Sequence, residues 1–453
     1  MSYEDAVMRT LLALVEATDP APHEGAAARE DLRQLAEAVA AVSQAYTRER
    51  DAIDAGATGE AAYRARRRFY LPRDGAKVVK PLVELHRAGA LPRGPRWRVL
   101  DLGAGLGSTS LGVAATLLHL GRGGAAVPQV RPDEGSQGSG SATSPSEREV
   151  VRELRVDAVE RDAGALRHFS QLAAQAERAG LPRLQVRPLA VDLRKHVPEG
   201  PYDLIVAGLV LNELLAEPPA QAAARLAGLV AQLAPGGAVI VLEPALREPT
   251  RALHQTRDAL TAHPDVALFG PCVHRAPCPM LAGPKDWCHE DVPATLPDEL
   301  VTVARDAGLR FERLTYAFLT LRRADAPADG VGGGASGVAA LLDPGAAEGA
   351  PHRVVSQTLA TKGKREWFAC GAAGRVRVTR LDRHATAANA GFERAQRGDV
   401  VRLPVLAPGV TDLRVRAESE LPGWFYPEEA SEAGEALEVG HRGLKGARPG
   451  AAD

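Results

Sequence analysis

The segment Arg98-Val99-Leu100-Asp101-Leu102-Gly103-Ala104-Gly105-Leu106-Gly107 restricts the fold more than any other stretch of the chain. An apolar run of strand character enters it, and a helix-forming run leaves it from about Thr109. Glycine at alternate positions serves where the turn needs positive φ and where a ligand must reach the backbone without meeting a Cβ. A loop of this kind offers amides at a helix N-terminus. A lone G-x-G occurs in many turns; the strand before it and the acid Asp101 distinguish this one. Further β-type apolar runs follow at 155–159, 184–186, 204–206 and 238–242, alternating with alanine- and leucine-rich helical stretches. That alternation predicts an α/β fold whose parallel sheet is covered on both faces.

An acid should end the second strand and hold ribose hydroxyls. Val156-Asp157-Ala158-Val159-Glu160-Arg161-Asp162 supplies Glu160 at the end of the apolar run, with Asp162 as the alternative. Dinucleotide enzymes place this acid roughly 20 residues after the loop. Here residues 121–146, rich in Gly, Ser and Pro, read as a flexible insertion that lengthens the gap. The third strand leads to Asp192, on the adenine side. The fourth, Tyr202 to Gly208, precedes Leu211-Asn212-Glu213-Leu214, and the turn Pro235-Gly236-Gly237 precedes the fifth.

This ordered series, over about 96–265, resembles the class I, Rossmann-like methyltransferases that use S-adenosylmethionine (SAM). The spacing Gly103-x-Gly105-x-Gly107 departs from the G-x-G-x-x-G of nicotinamide dehydrogenases, the competing reading. The resemblance implies SAM as cofactor, with Asp101, Gly103, Gly105, Gly107, Glu160 and Asp192 at its site. Asn212 and Glu213 stand where such families place substrate-side groups and are the catalytic candidates; a helix cap is the alternative. The segment has no Asn-Pro-Pro-Tyr signature of amino-group methylation and no cysteine nucleophile.

All four cysteines lie in the second half, spaced C-x5-C-x9-C-x81-C. Cys272, Cys278 and Cys288 occupy a polar, proline-rich loop at 270–290, poor material for a core; Cys370 follows a strand-like run. Zinc would accept four thiolates, or three with His274 or His289, but usually shows short C-x2–4-C pairs. A [4Fe-4S] cluster takes four cysteines, and irregular spacing suits its wider core. Spacing alone leaves both open. Pro271-Cys272-x-His274-x-x-Pro277-Cys278-Pro279 and Trp287-Cys288-His289, downstream of Leu211-Asn212-Glu213-Leu214, resemble the methyltransferase-like proteins of the mitochondrial small ribosomal subunit and their bacterial relatives. This resemblance spans about 60–402 and includes Arg397-Gly398-Asp399. It implies that Cys272, Cys278, Cys288 and Cys370 bind a [4Fe-4S] cluster, and that the protein acts on or helps assemble the small subunit through its rRNA.

The expected organisation is a helical region at 1–95, a SAM-binding domain at 96–323 carrying the cysteine-rich metal-binding insertion, a linker at 324–350, a small β-rich module at 351–413 with strands near 353–359, 366–369 and 375–380, and a loosely ordered tail at 414–453. The basic run Arg64, Arg66, Arg67 and Arg68 reads as a solvated helix face or as phosphate contact. Lys362, Lys364, Arg365, Arg375, Arg377, Arg380 and Arg383 are further candidates for rRNA contact. Net charge is -2, so no global basic field advertises nucleic acid. The acidic start Met1-Ser2-Tyr3-Glu4-Asp5 lacks a signal segment, and no run approaches the ~20 apolar residues of a membrane span. A cytoplasmic protein without membrane contact is expected; oligomeric state is not encoded legibly. Two other functions fit the same residues: a non-catalytic assembly or RNA-binding factor with a vestigial SAM site, and a zinc-stapled small-molecule methyltransferase.

Overall fold

The computed structural model describes residues 1–453 except 21, 23, 49–58, 123–149, 211–216, 327–336, 343–348 and 427–453. The expected insertion at 121–146 therefore lies almost wholly outside the described residues, and Asn212 and Glu213 lie outside them too.

The N-terminal region contains α1 (Tyr3–Thr18), α2 (Gly25–Arg48), α3 (Glu60–Ala65), a π-helical turn Arg66–Tyr70, α4 (Leu71–Ala76) and α5 (Val79–Arg87). Ser2 caps α1 by accepting the Asp5 amide at 3.0 Å. Then strands and helices alternate: β1 (Arg96–Leu102), α6 (Ser108–Arg122), β2 (Glu153–Glu160), α7 (Ala163–Ala176), β3 (Arg183–Ala190), β4 (Tyr202–Gly208), α8 (Pro219–Ala231), β5 (Leu233–Pro244) and α9 (Arg247–Leu260). β6 (Val266–Gly270), β7 (Glu290–Pro293), α10 (Asp298–Asp306) and β8 (Arg313–Arg323) complete this part.

The strands form one eight-stranded sheet in the order β3-β2-β1-β4-β5-β8-β6, with β7 also on β8. β1 to β5 pair in parallel, whereas β8 runs antiparallel to β5, β6 and β7. The order reverses between β1 and β4, which makes the switch point of a doubly wound, Rossmann-like sheet. Strand side chains alternate between faces. Val99, Leu204 and Val206 join the core built with α1, α6 and α7; Leu100, Ile205 and Ala207 join the one built with α8 and α9. Because both faces are covered, these strands read as continuous apolar runs.

Between the sheet and the C-terminal module, Gly337–Leu341 forms a short 3-10 turn whose Val338 is fully buried. The module is a second sheet built from β9 (Ala350–Val354), β10 (Leu359–Thr361), β11 (Lys364–Gly371), β12 (Gly374–Leu381), β13 (Val400–Leu403), β14 (Asp412–Val415) and β15 (Gly423–Trp424), in the order β14-β12-β11-β9-β13-β15 with β10 on β11. The run expected as one strand at 353–359 is split between β9 and β10. β14 and β15 extend the sheet past 413, so the ordered part reaches into the expected tail. The module has its own core around Trp367, Val376, Val378 and Phe392. Among the described residues, no helix is long and apolar enough to cross a membrane.

A buried polar seam fastens the module to the rest. Lys80 on α5 donates to Glu290 at 2.9 Å and to the Arg397 carbonyl at 3.2 Å. Arg353 on β9 meets Glu84 and Glu290, each at 2.8 Å. Tyr426 donates to Glu4 at 3.0 Å.

Candidate functional site

Two places concentrate the expected site residues. The first is the crevice at the carboxyl ends of β1, β2 and β4, where open α/β sheets bind ligands. Gly103, Gly105 and Gly107 all take positive φ, at 68°, 52° and 84°. The Gly103 and Ala104 amides donate to the Val159 carbonyl at 2.8 and 3.0 Å, which pins the loop to the end of β2. A Cβ on Gly107 would stand 2.1 Å from the Phe169 ring, so this glycine also lets α7 pack close. Glu160 faces the loop: its carboxylate accepts the Gly105 amide at 3.1 Å and the Asp162 amide at 3.0 Å. Asp162 caps α7, accepting the Gly164 and Ala165 amides, and accepts the Tyr63 hydroxyl at 2.9 Å. Of the two acids weighed at this position, Asp162 is engaged by the helix cap and Tyr63, and Glu160 borders the loop.

Asp101 lies beneath the loop, 1% exposed, and accepts the Ser110 hydroxyl at 2.6 Å. Burial, reinforced by Glu160, pushes its carboxyl up to about 7 despite the Ser110 bond. Asp192 stands just past β3 and is paired with Arg194 at 2.9 Å, which holds its carboxyl down to about 2. Beyond β4, Leu209 takes φ 60°, a conformation uncommon for a residue with a Cβ.

The basic run before the sheet is not a solvated helix face. Arg64 and Arg68 pair with Asp31, and Arg67 pairs with Asp19 and meets His168 at 3.1 Å. Arg67 and Arg68 are buried. Arg66 reaches over the glycine loop, its Nη2 2.8 Å from where a Cβ on Gly105 would stand, with Nη1 3.9 Å from Asp162. The run thus fastens α2 and α7 to the crevice, a correction to the solvated-face reading. The acidic partners sit far away in sequence, so no local signal announces them.

The second place is a cavity of about 40 Å³ lined by all four cysteines together with His254, Arg257, His274 and His289. A single water needs roughly 10–15 Å³, so the space exceeds one small ion. The cysteines are free, Cys278 buried and the others partly so. Burial pushes the Cys278 thiol up to about 11 and Cys288 to about 12, and raises Cys370 well above its usual value; neighbouring cysteines add to each shift. Among the described residues, no three His, Cys, Asp or Glu side chains converge as a ready site for one metal ion. The cysteine-rich insertion is present as a shared cavity, without a formed metal site.

One face of α9 holds this loop by its backbone. Arg251 donates to the Gly283 and Asp286 carbonyls, each at 2.7 Å, and to Met280 at 3.0 Å. His254 accepts the Cys288 amide at 3.1 Å. Asp258 accepts the Cys278 amide at 3.0 Å. These three residues stand at i, i+3 and i+7, which is helical spacing. Burial lowers His254 to about 4, so it is neutral and able to accept. His274 donates from Nδ1 to the Ala276 carbonyl at 3.1 Å, leaving Nε2 3.4 Å from Cys370 Sγ. Cys370 arrives from β11, paired with Arg353 of β9 and Arg375 of β12.

The family model described as "Mitochondrial small ribosomal subunit Rsm22" matches residues 127–400. The glycine loop precedes that match. No curated protein sequence matches the chain. Structural likenesses include mitomycin 7-O-methyltransferase MmcR (12% identity, 71% of this chain and 73% of that one, TM-score 0.29). A putative rRNA methylase from Clostridium thermocellum (9%, 55% and 96%, 0.27) and a putative class I SAM-dependent methyltransferase from Listeria monocytogenes (10%, 73% and 91%, 0.33) are others. Likenesses this distant add nothing to the strand order, which carries the fold. The family match covers more than half of the chain, including the cysteine loop, β11 and the start of β13: the protein belongs to the mitochondrial small ribosomal subunit Rsm22 family.

Proposed function

We propose that the chain is a SAM-binding, methyltransferase-like protein of the small ribosomal subunit, with a [4Fe-4S] cluster held by Cys272, Cys278, Cys288 and Cys370. The observation that carries this reading is the convergence of four cysteines, drawn from a loop and a distant module, on one cavity in a member of this family. The cavity offers more room than one ion needs, which suits a cuboidal cluster better than a single zinc with its sulfurs about 2.3 Å away. Ligation must displace the thiol protons, and binding then contributes to folding.

When bound, SAM supplies an electrophilic methyl group. The protein's part is positioning. The glycine loop gives the backbone approach, Glu160 offers a carboxylate for ribose hydroxyls, and Asp101 with Ser110 braces the loop from below. Asp192 is proposed on the adenine side; Asn212 and Glu213 are proposed to face the substrate. RNA contact is assigned to the exposed basic residues of the module, including Lys362, Arg365, Arg375, Arg377 and Arg383. Their surface ion pairs, such as Arg365–Glu393 and Arg377–Asp412, are weak and exchangeable for phosphate. A cytoplasmic location remains part of the proposal.

The test combines metal analysis with RNA crosslinking in cells. Anaerobically isolated protein should be brown, absorb near ~400 nm and contain iron. A colourless preparation with one tightly held zinc would reject the cluster. Crosslinks should map to small-subunit rRNA; a random distribution would reject the partner. S-adenosylhomocysteine should bind the wild type and not Gly105→Arg. Crosslinking to that rRNA with no methylation change on inactivation would select the non-catalytic assembly factor.

A further inference from the structure

Arg257 stands apart from the other charged residues near the cysteine cavity. It is 2% exposed on α9 and lines the space shared by all four cysteines. Its Nη1 donates to the Ala276 carbonyl at 2.6 Å and to Asp258 at 2.7 Å, and its Nη2 donates to the His274 carbonyl. Its Nε is buried with no hydrogen-bond partner among the described residues. The other buried arginine lining the cavity, Arg353, is committed to Glu84 and Glu290. Asp258 is only a partial counter-ion, because it also accepts the Cys278 amide through both oxygens.

A guanidinium taken out of water needs negative charge and filled donors. With four neutral thiols around it, Arg257 has too little of either. With four thiolates on a metal centre, the cavity becomes anionic, and the same guanidinium becomes its compensating charge. Resting on the cluster reading above, we infer that Arg257 is a positioning residue of the cysteine centre: it ties down the Cys272–Cys278 segment through the 274 and 276 carbonyls and sets a buried positive charge against the ligated sulfurs. Both actions have a reason in the sequence. Arg257 lies three residues after His254 and so flanks the face of α9 that Arg251, His254 and Asp258 present to the loop; one helix thus reads the backbone of both halves of the loop. Arginine suits the task because its planar fork can serve two carbonyls while keeping its charge.

One-electron reduction makes such a centre more negative. A buried cation beside it therefore favours the reduced state. Groups next to a metal's ligands typically change its retention by about 10-fold or more.

The experiment uses the full chain, isolated without oxygen, as wild type, Arg257→Gln and Arg257→Lys. Iron content, release of iron to a chelator and the midpoint potential are measured, with circular dichroism to report folding. Arg257→Gln should lose iron to the chelator about 10-fold faster and show a more negative midpoint potential, or fold without retaining a cluster. Arg257→Lys keeps the charge but not the fork, so it should release iron faster while its potential stays near that of wild type. An unchanged potential in Arg257→Gln overturns the electrostatic role, and unchanged release overturns the anchoring role. If Arg257→Gln does not fold, Arg257→Lys decides: a folded variant that releases iron as slowly as wild type overturns the inference. A wild type without iron would instead end the cluster reading itself, which separates the two failures.

Discussion

At the scale of single residues, Asp101 shows how the crevice trades charge for shape. Its carboxyl lies under the glycine loop with Ser110 as partner, and burial raises it from 3.8 to about 7. The folded value exceeds the unfolded one, so the native state binds a proton that the unfolded chain has released. The resulting stability is full below the unfolded value and is lost as pH rises through about 7. The gap corresponds to at most about 4 kcal/mol. Asp101→Asn removes the titration, so urea midpoints measured from about pH 5 to about pH 8 should fall less steeply in the variant than in wild type. Parallel curves would assign the raised value no role in stability. The sequence showed Asp101 as an acid beside glycines, and that much was legible. Its burial was not, because a one-dimensional pattern cannot say whether an acid at a strand end points to a ligand or into the sheet.

At the scale of elements, legibility followed the reach of each signal. β1, β2, β4 and β5 were visible because strands covered on both faces carry unbroken apolar runs. β3 was visible only over 184–186, though it spans Arg183–Ala190: it is an edge strand with mostly exposed or half-exposed side chains. β8 was not anticipated, although most of it is buried. It lies between a polar cysteine loop and a low-complexity stretch, so the alternation of strands and helices breaks there. The arginine run was misread because charge along a helix reports solvent only when no distant acid answers it. Asp19 and Asp31 do answer it here. The helix crossing that brings this region onto the sheet was also hidden. A Cβ on Gly112 would lie 2.1 Å from the Gly75 carbonyl oxygen, so α4 and α6 touch backbone to backbone. Gly112→Ala should cost about 1–3 kcal/mol or more, since backbone cannot yield as a flexible side chain does. Gly228→Ala is the control: it sits exposed on α8 with nothing within 4 Å, and should be neutral or stabilising by up to about 1 kcal/mol. Equal denaturant midpoints for the two variants would refute the close crossing.

At the scale of the whole molecule, two unlike fastenings join the C-terminal module to the sheet. One is the polar seam of Lys80, Glu84, Glu290 and Arg353, closed further by Tyr426 on Glu4. The other is the cysteine cavity, to which the module contributes Cys370. The seam needs no metal, and the module owns a core around Trp367 and Phe392. Loss of the proposed cluster should therefore loosen the cysteine loop before it releases the module. Cys370→Ser in the full chain should lose bound metal and lower the thermal midpoint, because a ligand that binds only the folded state stabilises it. Limited proteolysis should then cut within 270–290 sooner than within 350–426, where paired strands protect the backbone. Metal content equal to wild type would remove Cys370 from the centre. Simultaneous cleavage in both regions would show that the centre, and not the polar seam, holds the module in place.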